Sequence, residues 1–293
     1  MVYIIIVNYN GSQDTIECIK SLSNIKYKNY KIVVVDNNSQ KNDVEKLEKY
    51  NGNEIELIKL DENLGFAKAN NIGMKIALKN NAEYVLLINN DTTVEEDFLG
   101  KLIDTFSVDD KIGVSTGKIL NYYDINDRWY DGAKINWFKF EGQNDSGKSI
   151  SNDIREVNLI SGCLMLIKRE VLEKGIFLPE EYFMYYEDID YSVAINEAGY
   201  KLAYNNKSII YHKISKSTGG EKSAFYFKYS TRNWMIFMHK YQNYSKSILL
   251  SKLYYYVNRY MRVIFFILTG KKEKAKSILN GIKDGKIVIK NMK

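Results

Sequence analysis

Tyr84-Val85-Leu86-Leu87-Ile88-Asn89-Asn90-Asp91 is a short apolar run that stops abruptly at three small polar side chains. A continuous apolar run of this length, bounded by turn residues, reads as a strand buried on both faces of a parallel sheet. In open α/β sheets ligands collect beyond the carboxyl ends of the strands. Asp91 is therefore placed to hold a divalent cation and, through it, phosphates. Taken alone, Asn-Asn-Asp is equally well an ordinary turn, and its reading depends on the chain around it.

Three further strands precede it. Residues 2–7 form an apolar run closed by Asn8-Tyr9-Asn10-Gly11, after which Ser12 caps a helix bearing Ile16, Ile19 and Leu22. Residues 30–35 end in Asp36-Asn37-Asn38-Ser39 and lead to an acidic helix around residues 44–50. Residues 54–60 form a shorter strand, followed by Asp61-Glu62-Asn63-Leu64-Gly65-Phe66 and a helix over residues 67–78 that contains Asn70, Asn71 and Gly73. Repeated strand-helix alternation predicts a mostly parallel, Rossmann-like sheet with flanking helices and right-handed crossovers. Each polar cluster alone is a turn or a cap, but four of them close strands on one edge of the sheet. There Asp36 can accept from a base N–H and Tyr9 can stack on a base. No GxGxxG follows the first strand and no GxxxxGK[ST] occurs, which argues against dehydrogenase and P-loop chemistry.

Beyond Asp91 the pattern predicts a helix over residues 95–106, a strand over 112–120 and hairpins or loops over 121–153. An apolar strand over 156–167 follows, interrupted by Ser161-Gly162-Cys163, where glycine permits close approach. A short helix follows near 168–174. The only proline, Pro179, opens an aromatic loop that runs into Glu187-Asp188-Ile189-Asp190 and a helix stopped by Gly199. Acids at a helix start are favoured by its dipole, so capping explains some of the three. The dipole also keeps a carboxylate ionised, as suits a base that takes a proton from a hydroxyl. His212, one of two histidines, ends a strand over 208–211 and can complete a metal site with Asp91.

The composition is that of a globular protein, 45% hydrophobic over 293 residues, enough for one large α/β domain with extensions or two modest domains. Cys18 and Cys163 form no CxxC pair and read as reduced core residues, which with the lack of a signal-peptide pattern predicts a cytoplasmic protein. The net charge of +6 conceals an asymmetry: residues 201–293 carry 20 Lys+Arg against three acids, a net +17, and the first 200 a net −11. Aromatic residues interleaved with that basic tail favour a partly apolar interface over nucleic acid. Residues 246–268 recur at helical spacing with Arg259 and Arg262 interrupting the apolar run. This predicts a helix lying on an anionic membrane face, or else one packed on the catalytic domain or on a dimer partner through the C-terminal helices.

Taken together, Val7-Asn8-Tyr9-Asn10-Gly11, Val35 to Ser39, Asn63 to Gly73, Asn89-Asn90-Asp91, Ser161-Gly162-Cys163 and Tyr186 to Asp190 resemble the inverting glycosyltransferases of family 2, with the GT-A fold. The resemblance covers residues 1 to about 215, with a weaker likeness of Arg232-Asn233-Trp234 and Gly281 to Gly285 to the tail of the rhamnosyltransferase-like branch. It implies a GT-A catalytic domain over 1–215, with a donor-binding half over about 1–120 and an acceptor-binding half over about 121–215. Residues 216–293 then form a basic, aromatic-rich helical extension.

The resemblance also implies roles. Asn8, Tyr9, Asn10, Asp36, Asn38, Asn63, Gly65, Phe66, Asn70, Asn89 and Asn90 would surround a nucleotide-sugar donor, with Asp36 reading the base. Asp91 and His212 would hold Mg²⁺ or Mn²⁺. Asp188 would be the general base, supported by Glu187 and Asp190, and Gly162, Cys163 and Tyr186 would face the acceptor. The family's usual DxD is here Asn89-Asn90-Asp91, so its first carboxylate is replaced by a neutral amide. The implied activity is hexosyl transfer, with dTDP-L-rhamnose as the expected donor, to a glycan or lipid-linked glycan in bacterial cell-surface polysaccharide synthesis. The enzyme would work in the cytoplasm or peripherally on the inner face of the plasma membrane. The competing readings are a sugar nucleotidyltransferase, which would resemble a glycine-rich basic loop after the first strand, and a non-catalytic nucleotide-sugar-binding or membrane-surface scaffold.

Overall fold

The structure, a computed structural model, describes residues 1–52, 54–144, 153–213 and 223–292. The chain divides into two compact units, one of Met1–Lys134, Asn144–Phe183 and Glu187–Ile214, the other of Ile135–Gln143, Met184–Tyr186 and Ser215–Lys293. The expected boundary between residues 215 and 216 lies outside the described residues.

In the first unit β1 (Val2–Asn8), α1 (Ser12–Ser23), β2 (Tyr30–Asp36), α2 (Lys41–Glu48), β3 (Glu56–Lys59), α3 (Gly65–Lys79) and β4 (Tyr84–Ile88) alternate as the sequence predicts. Their strands pair in parallel in the order β3-β2-β1-β4, with Asn8 opposite Asp36 and Ile5 opposite Leu87. All four carboxyl ends therefore share one edge. The apolar runs are continuous because both faces are covered: Ile4, Ile5, Ile6, Leu86 and Leu87 have no exposed surface.

The chain continues through β5 (Thr92–Val94), α4 (Phe98–Asp104), β6 (Ile112–Asn121), β7 (Asp124–Tyr130), β8 (Ala133–Asn136), β9 (Glu141–Asn144), β10 (Ile154–Val157), β11 (Leu164–Lys168), α5 (Arg169–Glu173), α6 (Glu187–Glu197) and β12 (Lys201–His212). Among the described residues the sheet has ten strands. Its path runs β10-β12-β6-β11-β4-β1-β2-β3, with β5 on β12 and β7 on β6. β11 runs antiparallel to both β4 and β6, so the second half of the sheet is mixed.

Three expectations change here. The apolar stretch over 156–167 is two strands, because the 158–163 segment leaves β10 beside β12 and re-enters the sheet as β11 beside β4. The helix expected over 95–106 begins later, at Phe98, since Glu95 N still donates to the Ile209 carbonyl of β12, continuing the pairing of Thr92–Val94. The strand before His212 starts at Lys201, because a register shift between Asn205 and Ile209 lets one long strand follow β6 with a mixed apolar and polar pattern.

The second unit contains α7 (Ala224–Lys240), α8 (Ile248–Leu268) and α9 (Lys272–Asn291). Ser223 caps α7 by accepting from the Tyr226 N–H at 3.1 Å. Trp234, Ile236 and Phe237 of α7 are buried, with Tyr255 of α8 and Ile278 of α9.

Candidate active site

The shared edge of the parallel strands is built from side chains that mostly bind one another. Asn8 is fully buried at the end of β1. Its Nδ2 donates to Asp36 Oδ1 at 2.7 Å, Ser39 Oγ at 3.0 Å and Asp43 Oδ2 at 2.9 Å, and its Oδ1 accepts from Thr15 Oγ1 at 2.8 Å. Asn8, expected at the donor, has no exposed surface, and its amide fixes the loops after β1 and β2. Asp36 is also buried, its Oδ2 accepting from the Ser39 N–H at 3.0 Å. The turn itself is pulled across to the first loop, where Asn10 N donates to Ser39 Oγ and Gln40 N to Asn10 Oδ1, both at 2.8 Å. Asn10 and Asn38 adopt φ of 51° and 63°, a left-handed backbone that asparagine tolerates. Tyr9, 41% exposed, is the group of this loop that presents an open ring.

Asp43 is the residue that the sequence reading passed over. Besides Asn8 it takes the Ser12 N–H and the Ser12 hydroxyl, the latter at 2.6 Å, so α1 and α2 start from a common carboxylate. These bonds hold it below the ordinary aspartate range despite the opposing effect of burial. An acid in the first turn of a helix marks it in the sequence, but only as a capping group.

The next loop is organised by Asn63, whose Oδ1 accepts from Asn37 Nδ2 at 2.9 Å and Gly65 N at 3.0 Å. Gly65 has φ +81°, and a Cβ there would lie 2.3 Å from the Phe183 carbonyl oxygen, so only glycine allows Phe66 N to donate to that carbonyl at 2.8 Å. Phe66 in turn stands over Gly162, whose Cβ would meet its ring at 3.3 Å. Asn70, also expected at the donor, is buried and donates its amide to the Phe66 carbonyl one turn back, bracing α3.

At the end of β4, Asp91 and His212 are both buried, with Asp91 Oδ1 3.1 Å from His212 Nε2 and Asn89 Nδ2 3.5 Å from the same nitrogen. Burial alone would lower the imidazole pKa, but neighbouring Cys163 and Asp91 push it up to about 10. Trp129 stacks edge-on against the imidazole at 4.7 Å, and Lys213 N donates to the Asp91 carbonyl at 3.0 Å. Lys213 is anchored by Asp14 and Glu17, both at 2.6 Å. Neither Trp129 nor Lys213 carries a local signal, since their partners lie far away in the chain. Asn90 points elsewhere, donating to Thr15 Oγ1 at 3.1 Å.

Asp91 Oδ1 and His212 Nε2, with the Asn89 amide beside them, would offer a hard divalent cation two ligand atoms once the imidazole gives up its proton. Among the described residues no cluster of three or more His, Cys, Asp or Glu ligands occurs. The protein's own share of such a site would be Asp91, His212 and the side-chain oxygen of Asn89 after an amide flip.

Asp188 lies at the start of α6. Its Oδ2 accepts from Gly162 N at 3.0 Å and its Oδ1 from Ile189 N at 2.8 Å, which fixes the carboxylate while leaving it partly exposed. Burial raises its pKa against the lowering effect of these bonds. Glu187 is buried with Oε2 unpartnered among the described residues, and burial together with the Asp188 charge pushes it well above the glutamate range. Asp190 is buried and accepts from the Tyr182 hydroxyl at 2.9 Å, so it ties the aromatic loop to α6. Cys163 is likewise buried, and its carbonyl accepts from Asn89 N at 3.1 Å. That bond aligns the start of β11 with the Asn89 turn. Tyr186 belongs to the second unit, where it follows Tyr185 in a left-handed backbone, with φ of 77° and 71°, and packs on Phe237.

This architecture is the GT-A fold. It matches GalNAc-T7 solved with UDP, GalNAc and Mn²⁺ at a TM-score of 0.66, with 17% identity over 83% of this chain and 49% of that one. It also matches the mannosyltransferase PcManGT of Pyrobaculum calidifontis, solved with GDP-Man and Mn²⁺, at a TM-score of 0.60, with 15% identity over 97% of this chain and 86% of that one. Residues 3–176 match the family described as glycosyl transferase family 2, and the chain belongs to that family. It is 27% identical over 216 residues to the poly-beta-1,6-N-acetyl-D-glucosamine synthase of Staphylococcus aureus (strain COL), covering 72% of this chain and 50% of the relative. The chain thus spans about half the length of the curated relatives it matches.

Proposed function

We propose that the protein transfers a sugar from a nucleoside-diphosphate donor to a hydroxyl of a glycan or lipid-linked glycan in cell-surface polysaccharide synthesis, with inversion at the anomeric carbon. The observation that carries this reading is Asp188: a partly exposed carboxylate, held by two N–H groups and raised in pKa, at the edge where the strand ends converge. A base so placed takes the proton of the acceptor hydroxyl as its oxygen bonds to the anomeric carbon, while the bond to the diphosphate breaks with its electron pair. One displacement from the opposite face needs no covalent enzyme intermediate, so the configuration inverts. A divalent cation, when bound at Asp91 and His212, supplies countercharge for the departing diphosphate.

For the donor we favour dTDP-L-rhamnose. Asn233 is buried and donates to the Met184 and Tyr185 carbonyls, both at 2.8 Å, and buried Trp234 donates to the Lys139 carbonyl. That part of the tail is spent on packing, so the donor choice rests on Asn89-Asn90-Asp91. The test is nucleoside diphosphate release from a panel of nucleotide sugars with Mg²⁺ or Mn²⁺, with and without chelator. Release that depends on the metal is expected. Full release in excess chelator would remove the cation from the scheme, and tighter calorimetric binding of UDP-glucose, UDP-galactose or UDP-N-acetylglucosamine would overturn rhamnose. Release of pyrophosphate from a sugar phosphate and a nucleoside triphosphate would mean a nucleotidyltransferase.

A further inference from the structure

Helix α8 is amphipathic in the opposite sense from a helix that only packs on its own unit. The side chains it buries are Ser251, Tyr255, Arg259, Val263 and Phe266. Two of these five are polar: Ser251 Oγ is 3.0 Å from Ser245 Oγ, and the Arg259 guanidinium lies 4.4 Å over the Trp234 ring. The outward face instead carries Leu250, Leu253, Val257, Met261, Ile264 and Leu268, each between 51% and 81% exposed. Their three- and four-residue spacing aligns them in one stripe along a helix of 21 residues, about 30 Å long. A contiguous exposed apolar ridge of this length marks a surface that something covers.

We infer that this ridge seats on an anionic lipid bilayer, with α8 in the plane of the surface and its apolar side chains in the boundary between headgroups and acyl chains. Charge selects that occupant. Between Glu221 and Glu273 the chain has no acid, and the ridge is bracketed by exposed Lys246 at one end and exposed Lys271 and Lys272 at the other, with exposed Arg262 beside it. Juxtamembrane bases of this kind are attracted to anionic headgroups. A second copy fits less well, because a two-fold contact sets the face against itself. Antiparallel α8 helices would bring Lys246 of one copy to Lys271 and Lys272 of the other, where Glu273 is the one acid set against three bases. Among the described residues no helix is long and apolar enough to cross a membrane, in keeping with a helix that lies on the surface.

The test uses the full chain and reads vesicle binding, so it stands or fails apart from the sugar chemistry. Cosedimentation with phosphatidylcholine vesicles, with and without phosphatidylglycerol, is measured at low and high salt. The protein is expected to pellet with the anionic vesicles and to be partly released by salt. Val257→Asp and Met261→Asp change solvent-facing positions, so circular dichroism should stay native while binding weakens by roughly tenfold for each. Lys271→Glu with Lys272→Glu should erase the preference for anionic over neutral vesicles. Protein left in the supernatant with anionic vesicles at low salt, or folded aspartate variants that pellet like wild type, would overturn the inference. So would a dimer, seen by light scattering, that the same aspartate substitutions split without any vesicle binding.

Discussion

At the scale of single residues, Asp188 shows how much of a catalytic group is its surroundings. Aspartate at a helix start is commonplace, but the Gly162 and Ile189 N–H groups aim this one and burial raises its affinity for a proton. Asp188→Asn keeps an oxygen for only one of the two N–H donors and loses the ability to take a proton. Turnover at saturating donor and acceptor should fall by about 10²–10⁴, with donor affinity by calorimetry nearly unchanged. In the wild type, turnover should rise with pH through a value above the ordinary aspartate 3.8. Undiminished turnover in the variant would take Asp188 out of the role of base.

Helix packing decides the next level. α9 approaches α7 so closely that a Cβ on Gly281 would lie 2.4 Å from the Lys228 carbonyl oxygen and 3.0 Å from Thr231 Cβ. Backbone cannot yield as a side chain can, so Gly281→Ala should lower the unfolding free energy by about 1–3 kcal/mol, read as a shifted denaturant midpoint. Gly285, whose nearest neighbours are the Met235 sulfur at 3.2 Å and the Arg232 carbonyl oxygen at 3.3 Å, has more room, and Gly285→Ala should cost less. Equal costs at the two positions would mean that this close approach does not set the α7–α9 spacing.

For the molecule as a whole, the buried Glu187 beside Asp188 couples stability to pH. The folded state holds the Glu187 proton above the ordinary value of 4.5, so it binds more protons than the unfolded chain at intermediate pH. The stabilisation is full below that value and is lost as pH rises through the folded one, at about 1.4 kcal/mol per pH unit crossed. Glu187→Gln removes this titration. Its unfolding free energy should therefore decline less steeply than that of the wild type from pH 4 to pH 8, in paired denaturant titrations. Parallel curves would show that Glu187 is ionised in the folded protein.

The parallel half of the sheet and its polar edge were legible from local pattern, because a strand buried on both faces must be apolar throughout and must end where a turn begins. Ile4 to Ile6, Leu86 and Leu87, and the clusters at Asn8, Asp36, Asn63 and Asn89 all carry that signal in adjacent residues. Family membership followed from the same clusters. What each polar side chain does there depended on contacts across long stretches of chain. Asn8 and Asn70 turn inward because their amides are claimed by Asp43 and by the Phe66 carbonyl, Asp190 because Tyr182 reaches it, and Lys213 matters through Asp14 and Glu17. The same holds for α8: its periodicity announces two faces, and only tertiary packing decides which one is buried. Arg259 can go inward because Trp234 offers its ring, and the leucine-rich face is thereby left to solvent.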